Sequence, residues 1–139
     1  MTVPDTHTKH RHVNQDRFSD DPRGGNCLTA CIASILGVDL SEVPDFDMRA
    51  DGPETWAEFY GSWLASIGKS IITVDVVGGD LRMRGAGSII LLGSTERNST
   101  EIGHAVVGII DGYGEYVVIH DPHPSRSGLK SVTGAVVIW

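Results

Sequence analysis

The chain is short of nearly everything that marks a secreted, membrane-spanning or nucleic-acid-binding protein. It has two cysteines in 139 residues, Cys27 and Cys31, too few for a disulfide framework. Bases are outnumbered by acids, 11 to 18, and the formal charge is -7. That balance argues against a module built on phosphate contacts, so nucleic acid is not an expected partner. No apolar run approaches the roughly 18 residues of a membrane-spanning helix. The opening MTVPDTHTKHRH has no apolar stretch of the secretory-signal kind, so a cytoplasmic location is expected. Repeats and low-complexity tracts are absent, aromatics make up 6%, and Gln15 is the sole glutamine.

What is present is ordinary for one globular domain: 40% hydrophobic and 21% charged residues. A chain of this length buries enough surface to form a core without metal or disulfide staples. Residues 1–13 are polar and carry His7, His10 and His12 without apolar periodicity, so they read as a flexible arm before a single domain over 14–139. Three histidines on an arm would need ordering and supporting partners to hold a metal, and no metal or cofactor is expected.

Periodicity divides the domain in two. SDDPRGGN is a loop signal, and CLTACIASIL then has Leu28, Cys31, Ile32 and Ile35 at helical spacing. Asn26 suits the N-cap and Gly37 the C-terminal stop, giving a helix over about 27–36. VDLSEVPDF reads as a short helical turn ended by Pro44. Trp56, Phe59, Tyr60, Trp63, Leu64 and Ile67 form an amphipathic stripe, with Pro53 suited to the first turn and Gly68 to the stop, so a second helix is expected over about 53–67. The stripe reads as core. Beyond residue 69 the pattern changes to strands at 70–77, 88–93, 104–111, 115–121 and 133–139. The stretch 93–103 reads as a polar loop and GYG as a hairpin turn. Helices first and strands second predict an α+β fold with an antiparallel sheet.

Charge is concentrated between Asp39 and Glu58, where Asp39, Glu42, Asp45, Asp47, Asp51, Glu54 and Glu58 face a single base, Arg49. The plain reading is a solvated face. The sharper one is a rim that attracts a cationic patch on a substrate or partner.

Chemistry points to the two thiols. Cys27 follows Gly24, Gly25 and Asn26 and opens the first helix, where unpaired N–H groups and the helix dipole favour a thiolate. At ~100° per residue, Cys31 lies about 60° from the centre of the apolar face and Cys27 about 100°. Cys31 therefore reads as a small core residue and Cys27 as the nucleophile candidate. The two glycines leave room for a substrate backbone. His104 is the candidate base. Asp121, at the far end of the partner strand, should lie beside it through antiparallel pairing and can orient the imidazole.

These residues carry a resemblance. GGNCLTACIASILG followed by GHAVVGIIDGYGEYVVIHDPHPSRSGL resembles the papain-like cysteine peptidases, nearest the C39-like bacteriocin-processing type and small bacterial or phage proteins. The matching positions are Asn26-Cys27, Cys31, His104-Ala105-Val106-Val107, Asp121-Pro122 and Gly128, within 27–37 and 103–129. The resemblance implies a papain-like fold, with Cys27 as nucleophile, His104 as base and then acid, and Asp121 as orienting residue. It also implies an upstream glutamine in the oxyanion hole. Gln15 stands twelve residues before Cys27, against about half a dozen in the family, with SDDPRGG as an insertion between them. Gly24, Gly25 and Asn26 would then line the substrate path.

The implied activity is a thiol hydrolase acting on a peptide, isopeptide or amide bond of a peptide or protein substrate. Other readings share parts of this constellation. A transglutaminase or amide ligase would use the same triad, although an aromatic residue usually follows its histidine and Ala105 stands here. A Cys–His–His amidase would use His120 or His123 as its third residue. A non-catalytic binding module could keep the fold, and a zinc site could draw on Cys27, Cys31, His120 and His123.

Overall fold

The computed structural model describes residues 11–22, 24–46, 55–76, 88–97, 100–110 and 115–139. It is an α+β fold, as the order of periodicities predicts: two helices packed on a five-stranded antiparallel sheet. Helix α1 spans Cys27–Leu36 and α2 spans Trp56–Ser66, with a 3-10 turn at Leu40–Glu42 between them. The strands are β1 (Ile71–Asp75), β2 (Ser88–Arg97), β3 (Thr100–Ile110), β4 (Tyr116–His120) and β5 (Ser131–Ile138), in the spatial order β1-β5-β2-β3-β4.

Helix α1 has the expected bounds. Gly37 closes it in the left-handed region at φ 70°, where a side chain would be strained. Helix α2 starts later than 53. Thr55 is the cap, its side chain accepting from the Glu58 N–H, and Pro53 lies outside the described residues. The stripe of α2 is core through Tyr60 and Leu64, but Ile67 is the C-cap and is exposed.

The clearest departure is at 93–103. The expected polar loop is mostly strand: β2 and β3 form a long hairpin whose ladder runs from Ser88↔Ile109 to Arg97↔Thr100. Ser94↔Gly103 and Thr95↔Ile102 pair within it, and Thr95 is buried. Cross-strand pairing overrides the polar composition here, because β-branched threonine and small serine fit a pleated ladder. Strand β5 also begins earlier than expected, at Ser131. The GYG turn lies outside the described residues.

Ile89, Ile90 and Leu91 are all fully buried, so the sheet buries both faces. On one face, Ile90, Ala105, Val107, Val136 and Ile138 pack with Cys31, Ile32, Tyr60 and Leu64 of the helices. On the other, Ile89, Leu91, Val106, Ala135 and Val137 form a second cluster. Helix α1 lies against β2 and β3, and Cys27 at its start shares a cleft with His104 near the middle of β3. Among the described residues no helix is long and apolar enough to cross a membrane.

The last three residues of the expected arm are docked. The Arg11 N–H donates to the Ser34 carbonyl (3.1 Å) and the Val13 N–H to Ser34 Oγ (3.1 Å). Residues 11–17 thus form a strap running back along α1, from Ser34 near its end to Asn26 at its start. His7 and His10 lie outside the described residues.

Candidate active site

Cys27 is the first residue of α1, a position whose N–H has no acceptor inside the helix. It is partly exposed, whereas Cys31, one turn on, is fully buried. Burial pushes the Cys31 thiol well above its usual pKa, with Cys27 and Asp121 adding to the effect. Cys31 is therefore a neutral core thiol, and Cys27 is the one that opens to a cleft.

His104 was expected at the start of a strand. It sits instead inside β3, paired with Gly93 of β2. The β3–β4 register pairs Val107 with His120, so Asp121 is the first residue beyond β4. His104 Nε2 donates to Asp121 Oδ1 at 2.7 Å, with both side chains buried. Cys27 lines the same cleft as His104 and lies close enough to favour the protonated ring. Because Nε2 is committed to Asp121, Nδ1 is the ring nitrogen left to serve a nucleophile. Cys27, His104 and Asp121 thus come together at one cleft, from segments far apart in sequence.

The electrostatics follow from this arrangement. Burial disfavours a charged His104, but the hydrogen bond to Asp121 and the nearness of Cys27 outweigh it and raise the imidazole to about 9. Burial likewise disfavours the Asp121 carboxylate. The bond from His104 and the backbone N–H groups of His123 (2.9 Å) and Gly128 (2.7 Å) overcome this and hold it down at about 2. Gly128 reaches that position at φ 73°. The two shifts belong to one ion pair and count once.

Gln15 comes to the same cleft, although twelve residues of chain separate it from Cys27. The cleft, about 450 Å³, is lined by Gln15, Gly24, Gly25, Cys27 and His104, with Leu28, Trp56, Leu92 and Ile102 as apolar walls. One Gln15 Nε2 hydrogen goes to the Arg17 carbonyl (3.0 Å), which leaves the second N–H of that amide. Its Oε1 is buried without a partner among the described residues. Gly24, at φ 83°, and Gly25 line the cleft as expected.

Asn26 does something other than line that cleft. Its Oδ1 accepts the N–H groups of Asp16 (3.2 Å) and Arg17 (3.0 Å), and its Nδ2 donates to Asp16 Oδ1 (2.7 Å). It is the N-cap residue by position, yet its side chain makes no cap bond. The amide instead braces the strap that carries Gln15.

Two features were not legible in the sequence. Arg17, buried among acids, donates Nε to the Gly24 carbonyl (2.6 Å) and grips Asp45 with both terminal nitrogens, NH2 at 2.8 Å. It therefore ties the glycine lip of the cleft to the strap. The His123 ring stands edge-on to His104 (6.2 Å between centroids) and to Phe18 (5.2 Å), beside the His–Asp pair. Neither pairing has a local pattern, since the partners are brought together only by the folded loops.

Among the described residues of the acidic segment, Asp39, Glu42 and Asp45 have partners within the chain. Asp39 pairs with Arg11 (2.7 Å) and forms a capping box with Glu42, while Asp45 pairs with Arg17. Asp47, Asp51 and Glu54 lie outside the described residues. The four groups weighed as zinc ligands go separate ways: His120 Nε2 donates to the Val13 carbonyl, His123 Nδ1 accepts from the Ser125 N–H, and Cys31 is in the core. Compared with known proteins, the chain matches no family model, no curated sequence and no solved structure at a significant level.

Proposed function

We propose that this protein is a thiol hydrolase of papain-like design, cleaving a peptide, isopeptide or amide bond through a thioester on Cys27. The observation that carries the reading is Cys27 and His104 in one cleft, with the imidazole hydrogen-bonded to the buried Asp121 and raised to about 9. An imidazole with that affinity for a proton can accept the one a thiol gives up as it attacks, and can pass it on to the leaving group. The order of parts supports the papain-like likeness: a cysteine at a helix start, a histidine on a later strand, and a carboxylate just after the next strand. A free thiol that must stay reduced suits the cytoplasm.

In the first step Cys27 Sγ attacks the carbonyl carbon, a C–S bond forms, and the C–N bond breaks as His104 gives its proton to the leaving nitrogen. Water then attacks the thioester carbonyl, His104 takes the water's proton, and the C–S bond breaks to release the acid. The Cys27 N–H and the second N–H of Gln15 supply the oxyanion donors. Asp121 stays ionised throughout and holds the ring. The glycine-edged cleft, with apolar walls of Leu28, Trp56, Leu92 and Ile102, suits an extended peptide stretch with apolar side chains.

The test is labelling with an electrophilic thiol probe, comparing wild type with Cys27→Ser and His104→Ala. Rapid labelling near pH 6 that disappears in both variants, while Cys31 stays unlabelled, is expected. Equal, slow labelling of the two cysteines would refute an activated nucleophile. Adding an amine acceptor to a turning-over reaction separates hydrolysis from acyl transfer, because only a transferase yields the amide of that amine.

A further inference from the structure

The strap that carries Gln15 is closed at its outer end by a pair of imidazoles. The His12 and His120 rings stack at 4.7 Å between centroids and 11° between planes. His120 Nε2 donates to the Val13 carbonyl at 2.8 Å, two residues before Gln15. The Gln15 N–H in turn donates to the Pro122 carbonyl (3.1 Å), two residues after His120. The segment at the end of β4 therefore holds Asp121 for the triad and also fastens the strap. We propose that His120 is a positioning residue, clasping the 11–17 strap through Val13 and the His12 ring so that Gln15 is held in the cleft, and that acid opens this clasp.

The groups around His120 set the direction of the pH effect. From the strap it meets His12, since Arg11 is paired with Asp39. From the loop after β4 it meets Asp121 and Arg126, whose guanidinium donates to the Asp121 carbonyl. The only ionisable residues of α1 are Cys27 and Cys31. Burial lowers the His120 pKa from 6.5, the Val13 bond opposes this, and His12 and Arg126 lower it further against the pull of Asp121. A ring that resists protonation only while docked favours docking in its neutral form. Docking is thus at full strength above 6.5 and weakens as the pH falls through and below that value. Protonating both stacked rings would also set two like charges face to face.

The consequence at Gln15 rests on the hydrolase reading, whereas the clasp does not, and two measurements keep them apart. The first is hydrogen exchange of the 11–17 amides in the full chain, corrected for intrinsic rates, from pH 8 to 5. Protection is expected to fall below pH 6.5 by at most about tenfold per pH unit, the limit for one proton. His12→Phe keeps the stack without a charge and should retain protection at lower pH. His120→Phe loses the Val13 bond and should be less protected at pH 8, with no fall on acidification. A flat profile in wild type, or an unchanged acid fall in His120→Phe, would overturn the clasp.

The second measurement is binding of a peptidyl aldehyde, whose adduct with Cys27 places an oxygen where the oxyanion forms. At pH 5.5 His12→Phe should bind it more tightly than wild type, and Gln15→Ala should remove the difference. Equal binding by wild type and His12→Phe, with the strap shown to be open only in wild type, would overturn the positioning role. Absence of an adduct at every pH would overturn the hydrolase reading, and with it the consequence at Gln15, while the exchange data still decide the clasp.

Discussion

Asp121 accepts from His104, from the His123 N–H and from the Gly128 N–H, so its carboxylate has one orientation and one charge state across ordinary pH. Replacing it with Asn removes the charge that holds the imidazolium. Asp121→Asn should lower turnover by about 10²- to 10⁴-fold with little change in KM, read from steady-state kinetics on a cleaved peptide. The same pair shapes stability. His104 is raised from 6.5 to about 9, so its contribution is complete below 6.5 and lost as pH rises through 9. Asp121 is lowered from 3.8 to about 2, so its contribution is complete above 3.8 and lost as pH falls toward 2. Urea midpoints should therefore be level between these windows and decline on both sides, and the decline near 9 should disappear in Asp121→Asn. Two glycines of the cleft wall separate packing from access. A Cβ at Gly93 would meet the Ser131 carbonyl oxygen at 1.8 Å, and one at Gly103 meets nothing within 4 Å. Gly93→Ala should cost more than about 2 kcal/mol. Gly103→Ala should leave stability within about 0.5 kcal/mol and raise KM, because the added methyl narrows the cleft. Thermal unfolding and kinetics on the two variants check both.

At the scale of elements, local signals and tertiary pairing contribute unequally. Helix α1 was readable to its ends, because its apolar spacing, Asn26 and Gly37 all agree. Helix α2 was readable in its stripe but not at its start, where Thr55 caps it. Thr55→Ala should cost about 1 kcal/mol in urea unfolding. The segment 93–103 reads as a loop because its polar composition resembles one until a partner strand supplies its ladder. The strap over 11–17 has no periodicity at all. It is ordered by other elements: Ser34 and Asn26 of the α1 region, His120 at the end of β4, and Asp45 beyond the 3-10 turn. Arg17→Met should cost about 2 kcal/mol, since bonds from a charged donor to Gly24 and Asp45 are lost together. Urea unfolding measures that cost.

Across the whole molecule, the last strand is near the centre of the sheet. Strand β5 lies between β1 and β2 and contributes Ala135 and Val136, both fully buried. A chain ending at residue 130 should show no cooperative unfolding transition, whereas Trp139→Ala, which alters an exposed side chain, should unfold nearly as wild type does. Residue types and their spacing alone determined the α+β class, the helix that begins at Cys27, and the choice between a thiol at a helix start and a thiol on an apolar face. Those are short-range properties: period, capping and the side of a helix on which a residue falls. The tertiary structure decided the rest. Antiparallel pairing already set Asp121 near His104, but the 2.7 Å bond between them, the strap that carries Gln15 to the cleft of Cys27, and the turning of Arg17 and Asn26 to brace that strap came only with the fold. Each of these joins groups distant in sequence, so the geometry exists only once the sheet and the helices have packed.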